Sequence, residues 1–390
     1  MKQLSSLQIS NFKTFRDLRI ETLGLVNLIT GNNSVGKTSM LEALWLLCRH
    51  GSPESIRYIL VARDDYYLPV LKTIGESRLN NSNPRNWQSQ LNTIKNIFYG
   101  REEISDAPLE IGIGSMSSNL PDRSPKEPKI SLKIEMFHAD LSENGDGTQN
   151  IRYIEIPPIQ HRQMEMEFSP YVLIQINNAV QLRYKLETIN QEYPVYILKG
   201  LPNIPSLFVG AHGLGTQAIG ELWDQIQLTA LQDMVESALR IVYKNIQRVS
   251  LRADYEGVGR IPILKINGTD EPVTLRSLGD GMSRLFGLVL SLVNSKDGIL
   301  LIDEIENGFH FSIQNEIWQL IFELASKLNV QVFATTHSWD CIEAFQRAAN
   351  AEVSLDGMLI RLQDKNGEIK STTFSKDELE IATRNEIELR

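Results

Sequence analysis

The segment Gly31-Asn32-Asn33-Ser34-Val35-Gly36-Lys37-Thr38 fits the pattern G-x-x-x-x-G-K-[ST] at each required position. Residues of these types can cradle a nucleoside triphosphate. Gly31 and Gly36 let the backbone curl so that successive N–H groups face phosphate oxygens. Lys37 brings a positive charge to the β- and γ-phosphates, and Thr38 offers a hydroxyl to Mg²⁺. Ser39 follows in the first turn of a helix whose positive end strengthens the anion site. The plainer alternative for the same residues is a glycine turn between a strand and a helix.

Three further groups carry candidate chemistry. The apolar run Gly298-Ile299-Leu300-Leu301-Ile302 ends in Asp303-Glu304. At a strand end, Asp303 can hold Mg²⁺ through its water shell, because Mg²⁺ takes oxygen ligands and keeps waters. Glu304, one residue on, can orient and deprotonate an attacking water. A pair of acids in a surface loop is the alternative. Thr335-Thr336-His337-Ser338 closes a second apolar run. His337 there can hydrogen-bond the γ-phosphate or the water, or it can cap a helix. The segment Ser277-Leu278-Gly279-Asp280-Gly281-Met282-Ser283-Arg284 precedes the apolar stretch from Leu285 to Val293. Gly and Asp at a helix start make a second anion-binding end, and a simply capped helix has the same residues. His310 reads equally as a residue facing a partner subunit or as an ordinary loop histidine.

These side chains need strands and helices to hold them. The run Leu25-Val26-Asn27-Leu28-Ile29 predicts the strand into Gly31, and Ser39 to Cys48 has helical composition. Gly298 to Ile302 predicts a fully buried strand, followed by helical spacing at Ile313, Ile317, Leu320, Ile321 and Leu324, then a second strand over Val330 to Ala334. That strand–helix–strand unit implies a parallel pair. Leu222 to Val242 predicts one helix. Leu4 to Ile9 and Leu18 to Glu21 predict short strands, and Met358 to Leu362 with Glu368 to Thr372 predicts a hairpin turned at Asn366-Gly367. Residues 52–204 differ in texture. Asn86 to Phe98 predicts a helix, while Lys129 to Met136 and Tyr171 to Ile176 alternate with the period of half-buried strands.

The 390 residues are 42% apolar and 22% charged, with a net charge of −9. That acidity argues against a chain drawn uniformly to nucleic acid, while a local basic patch would still permit DNA contact. The Arg and Lys residues of 52–204 can meet DNA or simply be solvated. Leu285 to Val293 falls far short of the roughly 20 apolar residues of a membrane span. Met1 to Asn11 lacks a signal-peptide core, and only Cys48 and Cys341 occur. A reduced, cytoplasmic protein without a membrane partner is the expectation.

Taken in chain order, the phosphate loop, the glycine signature, the acidic pair and the histidine switch resemble the ABC-type ATPase heads of the SMC, RecF and OLD groups. The whole chain is similar to bacterial AAA-family or OLD-like ATPases, several of them paired with a separate nuclease in anti-phage systems. The resemblance implies an α/β P-loop NTPase fold: an ABC-type ATPase head with a mixed sheet, built from 1–50 and 205–390, and an inserted α+β region over 51–204. It implies ATP and Mg²⁺ as ligands, hydrolysis of the γ-phosphate, and a homodimer sandwiching nucleotide between heads. Lys37, Thr38, Asp303, Glu304 and His337 would then act within one subunit, and Gly279, Gly281 and Arg284 across to the other. Asn11, Phe12 and Lys13 match the family's segment near the base and ribose. Partners implied are a separate nuclease or effector and DNA, in anti-phage defence or DNA repair.

Two departures stand out. Gly279 occupies the usual signature serine position, which points to the alternative of a slow nucleotide-sensing module. The family's glutamine switch is assignable to none of Gln160, Gln163 and Gln217 alone. The stretch after His337 holds no D-x-D pair and reads as too short for the nuclease domain of OLD proteins, so the expectation is an ATPase without its own nuclease.

Overall fold

A computed structural model describes residues 2–63, 91–101, 110–116, 128–143, 149–155, 169–177, 180–190, 204–255, 257, 259–351, 356–385 and 388–389. The chain divides into two compact units. The first comprises Met1–Ser6, Ile20–Leu41 and Asn203–Arg390, and the second Leu7–Arg19 and Glu42–Pro202.

The first unit is built on a mixed sheet. Its strands are β3 (Val26–Gly31), β9 (Ser206–Val209), β13 (Ile299–Ile302), β14 (Gln331–Thr335), β15 (Gly357–Lys365) and β16 (Glu368–Ser375). They lie in the order β16-β15-β3-β14-β13-β9. All neighbours are parallel except the β15–β16 hairpin. Every residue of β3, β13 and β14 is buried, as expected for central parallel strands whose two faces are both covered. That is why they read as unbroken apolar runs. Four polar residues lie in those runs, Asn27, Thr30, Gln331 and Thr335, and each is hydrogen-bonded. Asn27 pairs with the Gly24 backbone and with Val332 O, and Gln331 bridges the backbone of Gln3, Leu4 and Gly24. The hairpin turns at Asn366-Gly367, with φ of 59° and 83°, the left-handed pair of a two-residue turn.

Helices α1 (Lys37–Cys48), α5 (Asp280–Asn294), α6 (Gln314–Leu328) and α7 (Trp339–Ala351) follow the functional strands or precede them. The expected strand–helix–strand unit is β13, α6 and β14, with the two strands paired in parallel. One expectation is corrected here. Leu222 to Val242 is not a single helix but part of α3 (Thr216–Ile226) and α4 (Ala230–Val242). Between them Leu228 takes a left-handed backbone, φ 62°. The Thr229 hydroxyl then accepts from Leu231 N and starts α4 afresh. A small antiparallel sheet of β10 (Ile246–Ala253), β11 (Arg260–Ile266) and β12 (Val273–Thr274) follows. It shares one apolar core with α3, α4 and α5.

The second unit contains an antiparallel sheet. Its described strands are β1 (Leu7–Phe12), β2 (Phe15–Ile20), β4 (Glu110–Gly114), β5 (Lys129–Glu143), β6 (Gln149–Glu155), β7 (Ser169–Ile176) and β8 (Val180–Lys185). The order is β2-β1-β4-β5-β7-β8, with β6 also on β5. The N-terminal hairpin therefore belongs mostly with this sheet, because β1 pairs with β4. Strand β1 starts at Leu7 rather than at the expected Leu4. Helix α2 (Pro53–Val61) is capped by the Ser52 hydroxyl. Of Asn86 to Phe98, the first five residues lie outside the described ones, and Lys95–Ile97 forms a 3₁₀ turn.

Candidate nucleotide site

The phosphate loop follows from how β3 ends. At Gly31 the chain passes against β15, where a Cβ would sit 2.3 Å from Leu362 O, in a backbone of φ 137°. Only glycine fits. The loop then enters α1 at Lys37. The Lys37 side chain is 6% exposed and folds back over the loop, donating to Gly31 O at 2.6 Å and Asn32 O at 2.9 Å. Burial pulls its pKa below the usual lysine range, opposed by the charges of Asp303, Glu306 and Glu304. A cavity of about 290 Å³ opens beside Asn32, Asn33, Ser34 and Val35, against Gln363 and Asp364.

The acidic pair meets the loop because β14 lies between β3 and β13 and all three run the same way. Their C-terminal ends therefore converge on one edge, where ligands of open parallel sheets bind. Thr38 Oγ1 lies 3.2 Å from both carboxylate oxygens of Asp303. Thr335, the last residue of β14, donates from Oγ1 to Asp303 Oδ1 at 2.6 Å. The same hydroxyl accepts from Glu304 N at 2.8 Å. Thr38 and Asp303 thus form an all-oxygen donor set beside a buried ammonium, which fits Mg²⁺ bound with a triphosphate. Bound there, Mg²⁺ would neutralise charge on the phosphate oxygens.

Glu304 has a left-handed backbone, φ 48°. For a residue that is neither Gly nor Asn this costs roughly 1–3 kcal/mol, and such strain gathers at functional sites. Its surroundings hold it there. Asn307 Nδ2 donates to Glu304 Oε2 at 2.7 Å, and His337 Nε2 stands 3.5 Å from Glu304 Oε1. The His337 backbone N–H donates to Glu306 Oε1 at 2.7 Å, so Glu306 anchors the loop that carries the histidine. His337 and Glu304 are both partly exposed, open to a water and a phosphate.

The glycine segment behaves differently. Leu275–Leu278 is a 3₁₀ turn, Gly279 (φ 103°) ends it, and α5 begins at Asp280. Gly279 is exposed. The Ser277 hydroxyl donates to Thr274 O at 2.6 Å. Gly281 packs against the loop after the acidic pair: a Cβ there would be 2.7 Å from Gly308 O. Arg284 is 8% exposed, and its Nη1 and Nη2 donate to carbonyls of its own chain. Burial lowers its pKa against the opposing charges of Asp303, Glu304 and Glu306.

His310 accepts from Ser312 N through Nδ1 and starts the turn Phe311–Ile313. Gln217 Nε2 donates to Glu221 along α3, and Gln160 and Gln163 lie outside the described residues. Phe12 is fully buried and Lys13 pairs with Glu42 at 2.7 Å, both in the second unit. Sequence reasoning missed Thr335, Glu306 and Asn307. Thr335 and Asn307 each carried a signal, a hydroxyl at a strand end and an amide shortly after Asp303.

Residues 212–340 match a family model described as "AAA domain, putative AbiEii toxin, Type IV TA system". Residues 6–60 match one described as "AAA domain". The first match covers the glycine segment, the acidic pair and the histidine, and the second the phosphate loop. Over both stretches the chain is similar to AAA-domain proteins. Over 98% of both chains, the protein is 22% identical to an "ATP/GTP phosphatase" of Helicobacter pylori. It is 20% identical to the DNA replication and repair protein RecF of Pediococcus pentosaceus, over 48% of this chain and 43% of that one. Among solved structures, an SMC head bound to the C-terminal winged-helix domain of ScpA aligns over 98% of this chain and 99% of its own, at 12% identity and TM-score 0.48. Among the described residues, no helix is long and apolar enough to cross a membrane.

Proposed function

We propose that this chain binds ATP with Mg²⁺ on the phosphate loop and hydrolyses the γ-phosphate, using nucleotide-gated pairing of two copies to control a partner effector or DNA. The observation that carries the reading is the convergence of Thr38, Asp303, Glu304 and His337, from three strand ends, on one edge of the sheet. In this reading the N–H groups from Asn32 to Ser39 bind the triphosphate, and Lys37 neutralises it. Thr38 and Asp303 hold the metal. Glu304 takes the proton of the attacking water, and His337 orients Glu304 and the γ-phosphate.

The name of the full-length relative, an ATP/GTP phosphatase, supports hydrolysis and makes GTP a second substrate to test. The exposed Gly279 and Asp280 at the start of α5 support a surface that meets another copy's nucleotide, with 1–50 and 205–390 as the working head and 51–204 as its insert. A cytoplasmic setting and a role in anti-phage defence or DNA repair complete the proposal. The replacement of the signature serine by Gly279 favours slow turnover, so hydrolysis would act as a timed reset.

The test is the solution mass of Glu304→Gln with and without ATP and Mg²⁺. A shift from monomer to dimer on ATP is expected. A mass indifferent to nucleotide would overturn the gated pairing.

A further inference from the structure

Arg284 lies on the second turn of α5, away from the exposed glycine, and points inward. Its Nη1 donates to Gly210 O at 2.6 Å, and its Nη2 to Asp303 O at 3.0 Å and Glu304 O at 3.4 Å. Gly210 is the first residue after β9, and Asp303 and Glu304 are the first two after β13. β9 and β13 are parallel neighbours. One guanidinium therefore ties two adjacent strand ends to one helix, and the carbonyl of the left-handed Glu304 is among its acceptors. Asn307 repeats the link from the other side, donating to the Glu304 carboxylate at 2.7 Å and to Ala211 O at 3.4 Å. Gly281 completes it, since the start of α5 rests against Gly308 O with no room for a methyl group.

We propose that Arg284 is a positioning residue, acting within its own chain, that holds the Glu304 backbone in its hydrolytic setting and makes that setting depend on how the glycine-rich start of α5 is seated. A planar fork can serve several carbonyls at once, whereas a lysine ammonium is a point charge that cannot span them in the same geometry. Displacement of the α5 start would reach Glu304 through Arg284 and Gly308, without any change at the phosphate loop. This rests on the reading of Glu304 as the group that activates water.

The test uses the full chain and measures phosphate release alongside nucleotide affinity for wild type, Arg284→Lys, Glu304→Gln and the double variant. Arg284→Lys is expected to lower kcat at least about tenfold with affinity changed less than about twofold, the split of a lost interaction that acts on chemistry alone. In the Glu304→Gln background it should lower residual single-turnover release no further, because its effect runs through Glu304. Gly281→Ala, which leaves Arg284 in place, should lower kcat in the same way. Wild-type turnover in Arg284→Lys, losses that multiply in the double variant, or affinity falling in step with kcat would each overturn the proposal. If Glu304→Gln itself turns over like wild type, the hydrolase reading falls and takes this one with it. If Glu304→Gln is slow and Arg284→Lys is not, only the role of Arg284 falls.

Discussion

The Thr335 hydroxyl binds Asp303 Oδ1 at 2.6 Å while accepting the backbone N–H of Glu304 at 2.8 Å. One buried oxygen thereby sets the metal-side carboxylate and the neighbouring residue's backbone from the adjacent strand. Thr335→Val keeps the shape and removes the hydroxyl. It leaves a buried N–H without its acceptor, a cost of about 1–3 kcal/mol. The expected outcome is a lower thermal midpoint together with reduced turnover, checked by calorimetry and phosphate release on the same sample.

Lys37 is the counter-charge of the loop, and Lys37→Ala removes it. Loss of about 3 kcal/mol of charged hydrogen bonding corresponds to roughly 100-fold weaker nucleotide binding. Titration with a fluorescent ATP analogue measures it.

The same residue gives a pH dependence. Burial lowers the Lys37 pKa, and only the protonated form attracts phosphate. Affinity should therefore fall, as pH rises, at a less alkaline pH than an ordinary lysine would give. An affinity that holds until ordinary lysines titrate would contradict this.

Asp303 is placed to act on Mg²⁺ through water beside Thr38. Asp303→Asn retains the shape and loses the charge. A rise of about tenfold or more in the Mg²⁺ concentration for half-maximal turnover is expected, read from a metal titration at saturating ATP.

Both cysteines are buried, and burial pushes the Cys341 thiol up to about 12. Alkylation depends on the thiolate. The folded protein should resist iodoacetamide at neutral pH and react at both cysteines after unfolding, as mass spectrometry would show.

Much of the site was legible because its motifs are local. Gly31 to Thr38 is contiguous, and Ile299 to Glu304 carries its strand and its acids together. The hairpin was legible from Asn366-Gly367 for the same reason. What stayed hidden depends on distance along the chain. The intrachain acceptors of Arg284, Gly210 O and Asp303 O, lie 74 and 19 residues away and are marked by no local pattern. Hydrophobic spacing also misled over α3 and α4, where Leu222 to Val242 kept helical periodicity through a break made by the left-handed Leu228 and the Thr229 cap. Strand β1 joins the second unit's sheet through β4, a pairing about a hundred residues away that no pattern within 1–50 encodes.

The most direct measurement is phosphate release from ATP by the purified full chain, for wild type and Glu304→Gln, with Mg²⁺ and with chelator, while nucleotide binding is followed on the same samples. If Glu304 activates the water, wild type releases phosphate only with Mg²⁺, and Glu304→Gln loses about 100-fold or more of that rate with binding retained. Equal release by the two proteins, or none from wild type with ATP bound, would contradict it.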